Sequence, residues 1–289
     1  MQIFDWLRLL LLAAIWGSSF IFFRILTPVL GISPTTALRC FLAGLFLYLV
    51  LWWRKEKIDW RKKGKHFFII GVLNSALPFA CFAYASLHIP AAYSAILNST
   101  APIWGVLIGV IFYGSPISRR TLIGFSTALL GVILVANPWQ RASGFVPDAY
   151  FLPAIGAGLA AAILYGIASH LIKKHLSDQS AVVNTAATQL VAGLALLPFA
   201  AAQMPSLAVF TPLIIASILA ISLMCSALAY FLYYKLIADI GVERGMSVTF
   251  FIPVFGLLWG ALFLGEAVSM MMLLGSALVI CGTYIGLKK

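Results

Sequence analysis

Tyr230, Tyr233 and Tyr234 fall at i, i+3 and i+4, the spacing that puts three side chains on one helix face. Each ring joins a large apolar body to one polar tip. Such a face suits a pocket for small amphipathic solutes, and equally an interfacial belt or core packing. Trp16 lies nearer mid-run and belongs with these tyrosines, whereas Trp52, Trp53 and Trp60 flank a basic stretch and read as belt residues. Asn98, Ser99 and Thr100, and Thr249 in the second half, sit one turn before Pro102 and Pro253. These polar groups either line a cavity or bond helix to helix. Each proline removes a backbone donor inside an apolar run and frees a carbonyl, so Pro102 and Pro253 are the candidate hinges. Arg39 stands near the end of its run. Snorkelling explains it there, and so does a role in a gate or in holding an anionic solute group.

Other chemistries are excluded. There is no Walker loop, no HExxH and no G-x-S-x-G, so neither ATP-driven transport nor an enzyme activity is expected, and no residue is assigned a catalytic role. Cys40, Cys81, Cys225 and Cys281 lie in apolar runs without metal-ligand spacing, which predicts core thiols, no metal and no cofactor. No Asp or Glu falls near the centre of an apolar run. The carboxylate relay of many proton-coupled carriers is thus not expected, and facilitated exchange or coupling through an exposed group is favoured over a carboxylate-driven pump.

The elements that position these residues follow from composition. The chain has 289 residues, 63% hydrophobic and 9% charged, against about 25% charged in soluble domains. An integral membrane protein follows, and a nucleic-acid partner is excluded despite the net charge of +11. Charge clusters, Gly and Pro delimit ten apolar runs near 7–26, 36–53, 66–87, 91–113, 120–138, 151–172, 181–201, 211–236, 241–264 and 267–287. The first run is too long for a signal peptide. With the N-terminus inside, all Lys and Arg except Arg24, Arg39 and Arg141 face the cytoplasm, 16 of the 19. Both termini are expected there, in a bacterial inner membrane.

The chain also repeats itself. A shift of 151 residues superimposes Pro102 on Pro253, Gly105 on Gly256, Gly109 on Gly260, Gly114 on Gly265, Gly124 on Gly275 and Gly131 on Gly282. A shift of 149 superimposes Trp16-Gly17 on Tyr165-Gly166 and Ala43-Gly44 on Ala192-Gly193. Residues 1–138 and 151–289 are therefore two copies of five helices. Because five is odd, the second copy enters the membrane inverted, an arrangement that rocks around a midplane site in secondary transporters. The repeat pairs Tyr230 and Tyr233 with Phe79 and Phe82, and Trp104 with Phe255. Gly105-x3-Gly109 and Gly256-x3-Gly260 predict close helix packing.

Trp16-Gly17-Ser18-Ser19-Phe20, Ala37-Leu38-Arg39-Cys40-Phe41-Leu42-Ala43-Gly44 and the later pattern Pro102, Gly124, Gly131, Pro253, Gly265-Glu266, Gly275 and Gly282 resemble the EamA-type transporters of the drug/metabolite transporter superfamily. The first half departs from the pattern with Gly114-Ser115 where Gly-Glu is usual. The resemblance implies export of small metabolites, amino acids or related amphipathic compounds first. Expected partners are a solute, membrane lipids and a second copy of the chain. The first, third, fourth, sixth, eighth and ninth helices are expected to line the path. A lipid flippase of the same fold is the nearer alternative, and a polytopic membrane enzyme the more distant one.

Overall fold

Helices that are apolar on all sides have no face to offer water, and here the outward faces are as hydrophobic as the core. Leu11, Leu49, Phe112, Ile133 and Phe263 are all exposed. The computed structural model describes residues 3–114, 116, 118–135, 148–240, 245 and 247–287, and among these every regular element is helical. In chain order α1 is Ile3–Leu30, α2 Ile32–Trp53, α3 Trp60–His88, α4 Ala91–Tyr113 and α5 Arg119–Val135. Then α6 is Phe151–His175, α7 Ala181–Gln203, α8 residues 212–240, α9 Val248–Leu264 and α10 Met270–Leu287. Each of the ten apolar runs carries a helix. Seven, α1–α4 and α6–α8, are long and apolar enough to cross a membrane. The other three have 17, 17 and 18 residues, about 26 Å at 1.5 Å per residue and slightly short of a 30 Å core. The chain is a multi-pass membrane protein.

Small residues let the backbones touch, since lipid offers no hydrophobic drive for helices to associate. In the α2–α7 crossing, Gly44 meets Leu190, and a Cβ on Gly193 would come within 2.7 Å of Phe41 Cα. In the α5–α10 crossing, Gly124 meets Gly286, and a Cβ on Gly131 would come within 2.7 Å of the Gly275 carbonyl. In both pairs the contacts ascend along one helix as they descend along the other, so the partners are antiparallel. Gly17 of α1 packs on Phe255 of α9, and Gly166 of α6 packs on Gly105 of α4.

Ion pairs group the links at two ends. Arg8 pairs with Asp239, Lys63 Nζ lies 2.9 Å from Asp178 and donates to the His175 carbonyl at 2.8 Å, and Ser180 donates to Glu56 at 3.0 Å. All of these belong to the end that holds the basic stretch 54–65. At the other end His88 Nδ1 lies 2.9 Å from Asp148, and Arg24 Nε lies 3.4 Å from Glu266.

Two helices depart from the α-form in corresponding places. α3 passes through a π-turn at Val72–Ala76 and α8 through a longer one at Ala220–Leu228. The expected matching hinges, in contrast, do not match. α4 stops at Asn98 and restarts at Ala101, so Pro102 sits in the first turn of a new segment, where its missing donor costs nothing. Ser99 and Thr100 make that break, bonding back to the carbonyls of Ile96 and Leu97 at 2.7 and 2.6 Å. The equivalent positions in α9 are Phe250 and Phe251, which carry no such hydroxyl, and Pro253 lies inside an unbroken helix.

Candidate functional site

A cavity of about 750 Å³ lies between the halves, a size ordinary for small-molecule sites. Its aromatic wall joins both halves: Trp16 packs on Tyr230 and Tyr233 at 6.0 and 5.2 Å between ring centres, and Phe82 stacks on Tyr165 at 6.4 Å. Tyr230 is held by Asn74 of the α3 π-turn. Phe79 adds a further ring, and Asn98 and Thr249 supply neutral polar groups from α4 and α9. Pro102 and Arg39 line the cavity as well. Trp104 stands outside it, its indole N–H donating to Thr100 Oγ1 at 3.2 Å and its ring packed edge-on to Phe125. Pro253 is buried in α9 away from the lining. The Tyr234 side chain and Ser115 lie outside the described residues. The lining draws on α1, α3, α4, α6, α8 and α9, and from α2 on Arg39 alone.

Arg39 corrects the expectation of a snorkelling end residue. α2 begins at Ile32, four residues before the expected edge, so Arg39 is two turns inside, and the residue is only 5% exposed. Its guanidinium lies 3.8 Å above the Phe79 ring and 5.1 Å from that of Phe23, and its Nε donates to Ser226 Oγ at 3.2 Å. Ser226 belongs to the π-helical stretch of α8 and itself bonds the Ile221 carbonyl, five residues back, at 3.1 Å. Burying a cation at such depth costs on the order of 2.5–3.5 kcal/mol on insertion scales. Two ring faces offset part of this, a desolvated cation–π contact being worth about 2 kcal/mol.

Glu266, in the turn after α9, is tucked in, its side chain 9% exposed. Both its oxygens lie 2.9 Å from the Ala91 amide nitrogen, and Arg24 stands beside it. It thereby caps the start of α4, where its charge also suits the positive helix end, and ties α1, α4 and the α9–α10 link together. Arg24 donates on to the Ser86 carbonyl of α3 at 2.7 Å, and Trp259 of α9 donates to the Ala14 carbonyl of α1 at 2.9 Å. Toward the basic end the cavity runs along α6 past Ser169 and His170 to Lys173, and along α4 to Gly109. No Asp or Glu lies among the described lining residues.

Sequence reasoning found the aromatic face through its spacing and its repeat partners. The π-turns and the depth of Arg39 escaped it; a hydroxyl-rich stretch such as Ser222–Ser226 is the only hint that the helix there departs from the α-form.

The EamA-like transporter family matches the chain twice, over residues 6–137 and 152–287. The chain belongs to that family. An uncharacterized transporter of Archaeoglobus fulgidus is 24% identical, over 98% of this chain and 99% of that one. A probable terminal-alkyne amino-acid exporter of Streptantibioticus cattleyicolor is 25% identical over 70% of this chain and 66% of its own. The pseudopaline exporter of Pseudomonas aeruginosa is 26% identical over 36% of each. A solved crystal structure aligns with a TM-score of 0.61 at 17% identity, covering 94% of this chain and 95% of that one, and so shares the fold.

Proposed function

We propose that the chain is a secondary transporter that exports small amphipathic metabolites, amino acids and their relatives foremost, and works without catalysis or a cofactor. The observation that carries this is one aromatic-walled cavity that runs toward the basic end of the bundle, while at the other end Glu266 ties α1, α4 and the α9–α10 link together. A site accessible from one side at a time is what alternating access requires. On this reading the basic end is cytoplasmic, as the positive-inside rule favours, with both termini inside and the membrane a bacterial inner one.

The inverted-repeat reading, with ten spans in two halves, is supported by how the helices pair. α2 with α7 and α5 with α10 are repeat counterparts and run antiparallel. The α1–α9 contact has its counterpart in α6–α4. A twofold axis in the membrane plane generates all three relations at once. Two named exporters among the relatives accord with outward transport. The test is solute movement in sealed vesicles across amino acids, nucleosides and drugs: protein-dependent flux of at least one amphipathic member is expected, and none at all refutes the carrier.

A second reading, handling of a lipid head group, draws on one observation. An apolar cavity of about 510 Å³ lies between α2, α7 and α8 and shares Tyr230 with the central one. Scrambling of labelled lipid in the same vesicles, at a rate comparable with solute flux, would favour it.

A further inference from the structure

We infer that Arg39 is the anchor for a carboxylate, and that the cavity selects solutes carrying one carboxylate on an apolar or aromatic body. This rests on the carrier reading above and names its substrate class.

The first argument is what Arg39 lacks. Its faces lie against Phe79 and Phe23, and its Nε is used by Ser226. The terminal Nη donors have no acceptor among the described residues, and no carboxylate pairs with the charge there. A buried guanidinium with an open edge is an unfilled fork, and that planar pair of donors matches the two oxygens of a carboxylate. The ring faces fix its plane, so the fork is aimed before any solute arrives.

The second argument is asymmetry. The shift of 149 residues places Thr188 of α7 at the position equivalent to Arg39. Thr188 bonds only into its own helix, to the carbonyls of Asn184 and Thr185 at 2.7 and 3.3 Å. The equivalent position in the other half thus does without a cation, so the duplicated packing does not by itself require Arg39. Ser226, which fixes its Nε, comes from the π-helical stretch of α8.

The third argument is the rest of the wall. Trp16, Phe82, Tyr165 and Tyr230 surround an apolar body, and their ring faces with Asn98 and Thr249 receive an ammonium without a counter-charge. Lys173, lining the cavity toward the basic end, favours entry of an anion. A dianionic phosphate would need a second cation beside Arg39, and Lys173 is two helical turns along α6 from Tyr165. A lipophilic cation meets like charge at the anchor.

The test uses the full-length protein in two assays. Binding to purified protein is read from tryptophan fluorescence, Trp16 lying in the wall; transport is read from counterflow of labelled phenylalanine in proteoliposomes with unlabelled competitors. The probes are phenylalanine, phenylalaninamide, phenyl phosphate and tetraphenylphosphonium. Phenylalanine is expected to bind on the order of 10–100-fold more tightly than its amide, the range of a charge-assisted fork. Arg39→Gln is expected to remove that preference by weakening the acid and leaving the amide, and Arg39→Lys to keep part of it. The ratio is internal to each variant, so a poorly folded protein that loses acid and amide together cannot imitate the result. Equal binding of acid and amide to the wild type, equal loss of both in Arg39→Gln, or tightest binding of the phosphate or the phosphonium overturns the anchor. Acid-selective binding with no counterflow of any probe leaves the anchor standing and overturns the carrier; counterflow without acid preference does the reverse.

Discussion

Glu266 reaches across three elements to Arg24: the carboxylate that caps the Ala91 amide of α4 stands 3.4 Å from the guanidinium near the C-terminal end of α1. Its repeat counterpart is Ser115, so the opposite end of the bundle has no equivalent carboxylate.

Replacing Glu266 by Gln keeps an acceptor for Ala91 and removes the charge shared with Arg24. A hydrogen bond to a charged group is worth about 1.5–3 kcal/mol, so local opening at the start of α4 becomes roughly 10-fold more frequent or greater. Amide exchange across Ala91–Leu97 should accelerate by that factor, with amides in α7 unchanged. An unaltered rate at Ala91 refutes the fastening.

A methyl on Gly17 would lie 2.8 Å from Phe255 Cβ and 3.1 Å from the Gly256 amide, closer than side-chain carbons approach. Gly17→Ala must push α1 off α9, an overpacking cost of about 1–3 kcal/mol. Gly156 has nothing within 4 Å of an added methyl. Gly156→Ala should therefore be neutral or raise stability, by up to about 1 kcal/mol of helix propensity. Thermal unfolding in detergent ranks the two, and the reverse order contradicts the α1–α9 packing.

Tyr233→Ala takes away the ring that packs on Trp16 in the cavity wall, whereas Trp60→Ala removes an exposed ring resting on Phe67. Flux in sealed vesicles should fall at least about 5-fold further for Tyr233→Ala, the lost ring pair alone being worth up to about 1.5 kcal/mol. Equal effects refute the placing of the binding wall.

The Lys63 ammonium hydrogen-bonded to Asp178 holds that carboxyl below its usual 3.8. A depressed acid contributes stability that is complete above the unfolded value and is lost as pH falls through the folded one. The difference in melting temperature between wild type and Asp178→Asn should therefore be constant from pH 7 to 5 and shrink below 4. Because the pair is exposed, the difference itself is small and should fade in high salt. A difference that grows on acidification has the wrong sign for this pair.

The glycines and prolines located the helices and the crossings, because close backbone approach leaves only the smallest side chain at a contact such as Gly193 on Phe41. The aromatic wall was legible for a similar reason: i, i+3, i+4 spacing survives any small error in helix ends. Burial depth was not. Starting α2 four residues late turned Arg39 from a buried cation into an interfacial one, and charge type alone cannot say which neighbours will cover it. The partners of Glu266 were not legible because Ala91 and Arg24 both lie more than 170 positions earlier in the chain. The π-turns depend on how carbonyls re-pair within α3 and α8, which side-chain periodicity does not report.

The interruption at Ser99–Thr100 has a mechanical corollary. α4 can fold at that joint, whereas α9, its twin, must pivot as a stiff lever on Gly17 and Ala95. On the carrier reading proposed above, opposite strokes of the transport cycle bend different parts of the molecule, a jointed helix working against a rigid one.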